Sequence, residues 1–130
     1  MFSRAILVAA VIVAAIGFVS QARAAANDYF FEPIEAELQK GDAIVAVRLL
    51  QMSTGKPVAD AVIVRSRIDM APDGMPTMES PLTPEPSSEP GVYRFKTNLP
   101  MAGRWLLSIA AKVQGEPETV VGKITYTVTP

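Results

Sequence analysis

From residue 34 onward, apolar and polar side chains alternate with a period of two over most of the chain, the pattern of strands with one buried and one wet face. Ile34, Ala36 and Leu38 alternate with Glu35, Glu37 and Gln39, which predicts a first strand. Lys40-Gly41-Asp42 reads as a turn. Residues 43–50 resume with Ala43, Val45, Val47 and Leu49 on one side and Ile44, Ala46 and Arg48 on the other. Ser53-Thr54-Gly55-Lys56-Pro57 is a loop, and residues 61–68 (AVIVRSRI) form a strand that is β-branched at Val62, Ile63 and Val64. Residues 68–90 then break the pattern. They hold six prolines, which forbid a central strand or an ordinary helix, and leave room for a short edge strand near residues 78–82. Pro90-Gly91 turns the chain into residues 92–99 (VYRFKTNL), and residues 105–113 and 122–128 supply the last strands. No segment carries a helical period.

About seven short strands at this spacing predict an all-β, immunoglobulin-like, two-sheet antiparallel sandwich. The expected core is Val45, Val47, Leu49, Ala61, Ile63, Tyr93, Phe95, Trp105, Leu107 and Ile109. Tyr93, just after Pro90-Gly91, is placed to tie its hydroxyl to nearby backbone. There is no cysteine, so hydrophobic burial carries stability without a disulfide.

The first residues follow a different pattern. One positive charge at Arg4 precedes fifteen residues, 5–19, without a polar side chain, and Ala22-x-Ala24 then fits the small-residue cleavage rule. This predicts a signal-peptide helix over residues 1–24 and an exported, periplasmic domain over 25–130. The apolar run is shorter than the roughly 20 residues of an ordinary membrane span. Left uncleaved, residues 5–19 would anchor the domain to the membrane with the globular part still outside.

Charge and composition then narrow the functions. Arg4 and Arg23 would leave with the signal, so ten basic residues face thirteen acidic ones, a net charge of about −3. That balance offers nothing to nucleic acid or to an anionic membrane. With neither histidine nor cysteine, the commonest general base, thiol catalysis, thiolate zinc and imidazole metal sites are all excluded within this chain. No paired carboxylates suggest acid–base work, and the chain reads as a non-enzyme.

Methionine is the unusual feature. Setting aside Met1, there are five, and Met70, Met75 and Met78 fall within nine residues of the proline-rich stretch. Thioether sulfur is soft and does not ionise, which suits copper(I) or silver(I) rather than zinc, calcium or magnesium. Met101, in the turn before Trp105, is a further candidate ligand if the loops meet at one end of the sandwich. The other reading keeps these side chains as fillers and caps of the core, the usual work of methionine. Asp69, Asp73 and Glu79 flank them, either as attractors of a cation or as turn formers. Tyr29-Phe30-Phe31 reads as a sticky segment for a partner or as an extended stretch tucked onto the sheet.

Five blocks in order resemble the YtkA-like/FixH-like family of small exported β-sandwich domains. They are GDAIVAVRLL at 41–50, GKPVADA at 55–61, the run from Met70 to Met78 with its Gly74-Met75, PGVY at 90–93 and LPMAGRW at 99–105. The resemblance implies an immunoglobulin-like fold outside the cytoplasm and a role beside copper or heavy-metal export, or, in the FixH branch, in assembly of a copper-containing respiratory oxidase. Carried over, the methionine loop falls on Met70, Met75 and Met78 and the turn methionine on Met101. The chain departs from the FixH branch in its apparently cleavable signal and its lack of histidine. Two functions therefore stay in view. One is metal (copper/silver) handling through the methionine loop, beside an efflux system. The other is a non-catalytic interaction module that assists a membrane complex, docking through a sheet edge or through Tyr29-Phe30-Phe31.

Overall fold

The computed structural model describes residues 26–130; the expected signal segment, residues 1–24, lies outside the described residues. Nine strands follow a short 3-10 turn at Ala26–Asp28: β1 (Tyr29–Pro33), β2 (Glu37–Gln39), β3 (Gly41–Gln51), β4 (Val62–Met70), β5 (Met75–Ser80), β6 (Thr83–Glu85), β7 (Val92–Leu99), β8 (Gly103–Lys112) and β9 (Val120–Thr129). They form a four-stranded sheet in the order β1-β3-β7-β6 and a five-stranded sheet in the order β2-β9-β8-β4-β5. In immunoglobulin lettering the first sheet is A-B-E-D, and β9, β8 and β4 are G, F and C with β5 added beyond C. The all-β immunoglobulin-like sandwich is thus the architecture present. Among the described residues no helix is long and apolar enough to cross a membrane.

The N-terminal strands differ from the expectation. The alternation over residues 34–39 was expected to mark one strand, but only Glu37–Gln39 is one, and it runs parallel to β9. Tyr29–Pro33 instead pairs antiparallel with β3, with Phe31 opposite Leu49 and buried. The tucked reading of Tyr29-Phe30-Phe31 holds. Pro33 is the last residue of β1, and the ladder with β3 ends one residue later, at Ile34. The Ala46 carbonyl past that point takes the Ile34 N–H at 3.1 Å and the Tyr126 hydroxyl at 3.0 Å. Tyr126 reaches it from the opposite sheet, fully buried, so one side chain bridges both layers.

Seven of the ten expected core residues are buried. Ala61, Ile63 and Tyr93 are only half-buried, because they line an opening between the sheets rather than the centre. Tyr93 does act as a corner, donating to Val58 O at 2.7 Å and accepting the Ala61 N–H at 3.1 Å, which fixes the β3–β4 connection. Ile68, Leu99 and Tyr126 join the core unforeseen. The proline-rich stretch holds two edge strands, with Pro76 in β5 and Pro84 in β6, where a missing N–H is tolerated. Between them the chain crosses from one sheet to the other. Ser80 Oγ donates to Asn98 O and Thr97 Oγ1 to Pro81 O, each at 2.7 Å, and these bonds close that flank of the sandwich.

Candidate functional site

Strand β4 runs to Met70, two residues past its expected end at Ile68. Ala71–Asp73 then turns as a single 3-10 segment with Pro72 in its first turn, and Gly74 ends it in the left-handed region at φ 79°. Met75 begins β5 directly opposite Met70. This tip is fastened to the start of β8. The Asp73 carboxylate accepts the Arg104 backbone N–H and its Nε, both at 2.8 Å, and Arg104 Nη2 donates to Pro72 O at 2.8 Å. These contacts, the Arg104 backbone N–H first, hold the Asp73 carboxyl below its ordinary value. The turn just before β8 carries Met101, whose carbonyl accepts the indole N–H of Trp105 at 3.0 Å. Met70, Met75 and Met78 therefore lie on the β4–β5 hairpin and Met101 on the turn before β8, and the tip of that hairpin is tied to Arg104 just after the turn. Met52 lies at the end of β3, away from that tip.

Their side chains are not equivalent. Met70 is 1% exposed and belongs to the core. Its methyl group occupies the space beside Gly103, where an added Cβ would lie only 2.6 Å from Met70 Cε and 2.5 Å from Asp73 Oδ2. Met75 and Met78 are half-buried against the core, and Met101 is 38% exposed. The sequence alternatives thus divide among the residues: Met70 is packing, Met101 is open, and Met75 and Met78 stand at the boundary.

The flanking carboxylates serve the hairpin. Asp69, buried, accepts Arg67 Nε at 2.7 Å and the Ala71 N–H at 2.9 Å, so it also starts the 3-10 turn. Arg67 reaches on to Glu79 Oε1 at 2.9 Å and to Pro76 O at 2.6 Å. Among the described residues no group of three or more carboxylates is placed to hold a metal ion.

A second feature escaped the sequence reading. Strand β4 pairs with β8 along its length but with β5 only at Ile68, Asp69 and Met70. Over residues 62–66 its other edge meets no strand among the described residues, and here a groove of about 700 Å3 opens between the sheets, lined by Ile63, Tyr93 and Phe95. Its walls come from residues 59–66 and 84–95, stretches far apart in the chain, so no local pattern marks it. The one available signal is Val62-Ile63-Val64, three β-branched residues in a row where alternation calls for a polar one.

Two solved structures are similar to this chain. The Lin-41 filamin domain matches with 16% identity and a TM-score of 0.47, covering 78% of this chain and 92% of that one. The ZirS C-terminal domain matches with 12% identity and a TM-score of 0.44, covering 98% and 88%. No curated protein matches. The family model described as YtkA-like matches residues 23–110, which takes in β1 through most of β8. The chain belongs to the YtkA-like family.

Proposed function

We propose that this protein is an exported, non-catalytic accessory of soft-metal handling, which offers methionine thioethers at one end of its sandwich to copper(I) or silver(I). The observation that supports it most is the Asp73–Arg104 tie, which brings the Met70–Met78 hairpin against the turn that carries Met101. Met101, Met75 and Met78 are the outer thioethers, partly open to solvent, and Met70 lies behind them. Soft, uncharged sulfur donors without imidazole or thiolate suit an exchangeable monovalent ion better than a tightly held divalent one. Partners on this reading are membrane complexes of metal efflux or oxidase assembly.

Competition of the purified protein against a copper(I) chelator tests this. Methionine-to-leucine changes conserve volume and cost less than about 1.5 kcal/mol each, and circular dichroism checks that the combined variant is folded. The combined Met70→Leu, Met75→Leu, Met78→Leu and Met101→Leu variant is expected to lose competition, while Met52→Leu keeps it. Unchanged competition by the fourfold variant ends the metal reading. The second function, a docking module, is favoured by a different observation, the unpaired half-edge of β4.

A further inference from the structure

We propose that the groove beside β4 receives an extended peptide of a partner protein, one that alternates apolar and acidic residues and adds as a strand to residues 62–66. The proposal rests on the docking reading and is independent of the methionines. Three observations carry it: an unpaired backbone edge, an apolar floor, and an arginine on that edge, Arg65, without an ion pair, while the acidic residues of the groove, Glu85 and Glu89, are taken by Lys96 and Arg48.

Among the described residues, none of residues 62–66 makes a backbone hydrogen bond on the side away from β8. On either side of the bulge between Ile63 and Arg65, the edge points alternate N–H and C=O groups outward, a template for another strand. An acyl chain fills an apolar slot but has no backbone donors and acceptors to match this edge; a peptide has both. Val64, which lines the groove, is 56% exposed, and Val62, at the start of the same strand, is 61% exposed, although two hydrophobic side chains this open gain nothing from water.

Register assigns the partner's chemistry. Ile63 and Ser66 stand opposite the core residues Ala111 and Ile109, whereas Val62 and Arg65, both exposed, stand opposite the exposed Lys112 and the buried Ala110. A strand laid on the β4 edge therefore puts one set of side chains over Ile63 and Phe95 and the alternate set beside Arg65. Among the described residues Arg65 has no ion pair, and neither does Lys123, two strands away on the same outer face. Arg94, which also lines the groove, stands directly opposite Glu85 of β6 and is matched there. Opposite charges directly across a strand pair stabilise it and like charges destabilise it, so the residue beside Arg65 is Asp or Glu.

The same rule removes two other occupants. Antiparallel pairing of two copies through β4, centred on Arg65, would set Arg65 against Arg65. Residues 1–25 of this chain contain no carboxylate at all, so they do not supply the acidic positions. The occupant is a separate, acidic strand.

The test uses the purified protein with a metal chelator present, so that its outcome is separate from copper(I) binding. The probe is a capped octapeptide of alternating valine and glutamate, compared with its valine–lysine counterpart, a version N-methylated at alternate backbone amides, and dodecanoate. Amide chemical shifts and hydrogen exchange are followed by NMR. The valine–glutamate peptide is expected to shift and protect amides in residues 62–66, to weaken as salt is raised, and to bind several-fold less to Arg65→Glu, a surface change that leaves the core intact. The lysine and N-methylated peptides are expected to fail. Equal binding of the N-methylated peptide would overturn strand addition. Equal binding of the lysine peptide, or an Arg65→Glu variant that binds as well as the parent, would overturn the acidic assignment. Dodecanoate producing the same shifts at lower concentration would replace the peptide by an amphiphile.

Discussion

Strand β4 passes through two environments. Its second half, Ile68 to Met70, is covered by β5, closed below by the Ser80 and Thr97 bonds across the sheets, and fully buried. Its first half has β8 on one side and, among the described residues, no strand on the other, with Val62 and Val64 exposed. The difference comes from the proline-rich crossover. It covers the flank only as far as Thr83–Glu85 pair with Lys96, Phe95 and Arg94, then loops away through Pro86 to Pro90. One strand thus serves as a core element at the methionine end and as an open edge at the groove. Stability and function are expected to separate along it.

The largest effect that breaks this contrast is a pair of truncations. Ile68→Ala removes a buried branched side chain between the sheets and is expected to cost about 2–5 kcal/mol, whereas Val62→Ala on the open edge should stay within about 0.5 kcal/mol. Denaturant midpoints with unchanged slopes measure both. Equal costs would mean that the first half of β4 is covered in solution, which would also remove the groove.

The covered half was partly legible from the residues and the open half was not. Strands over residues 43–50, 92–99, 105–113 and 122–128 announce themselves because each buries one face against a continuous core, and burial writes a period of two into the sequence. β1 lacks that signal: Tyr-Phe-Phe-Glu-Pro does not alternate, and its place depends on a distant partner, β3. Met70 looked like a loop residue because the prolines begin at Pro72, yet the bulge between Asp69 and Met70 carries the strand on and turns that side chain inward. Among the site residues, Met101 was a candidate only on the condition that its turn meets the methionine stretch, and the Asp73–Arg104 tie that joins the two lies between residues thirty-one apart and leaves no local trace. The groove is a relation between two such distant stretches, so composition and periodicity are silent about it.

A smaller effect sharpens the contrast at the covered end. Gly103 has φ +141°, and a Cβ there would press on Met70 Cε and Asp73 Oδ2. Gly103→Ala is expected to destabilise by about 1–3 kcal/mol through backbone strain and the displaced methionine. Because the disturbance is local, hydrogen exchange should rise at Met70 and Arg104 and stay unchanged at Val62. Uniform loosening of β4 would argue that its halves are one cooperative unit.

The smallest expected effects are those of pH, and they distinguish the two ends of the sandwich. At the methionine end, Arg104 holds the Asp73 carboxyl below its ordinary value of 3.8. A depressed folded-state value means stabilisation that is present above pH 3.8 and lost as the pH falls through that lowered value. At the other end, the Tyr29 hydroxyl donates to Glu116 Oε2 at 2.6 Å and ties β1 to the β8–β9 loop. That hydrogen bond raises the tyrosine from 10.0 to about 12, so its contribution is complete below pH 10 and disappears as the pH climbs through about 12. Acid should therefore release the Arg104 amide, and alkali should release β1 first. The far end also has an acid-sensitive group, Asp28, lowered by its hydrogen bonds from Ser53 and Gln51, so the acid arm requires Asp73→Asn as a control. A protection factor at Arg104, exchange corrected for the intrinsic acid- and base-catalysed rate, that falls with pH between about 4 and 2 in the parent and not in the Asp73→Asn protein identifies the carboxylate; the same fall in both would move the acid response to Asp28 and leave the methionine end held by packing alone.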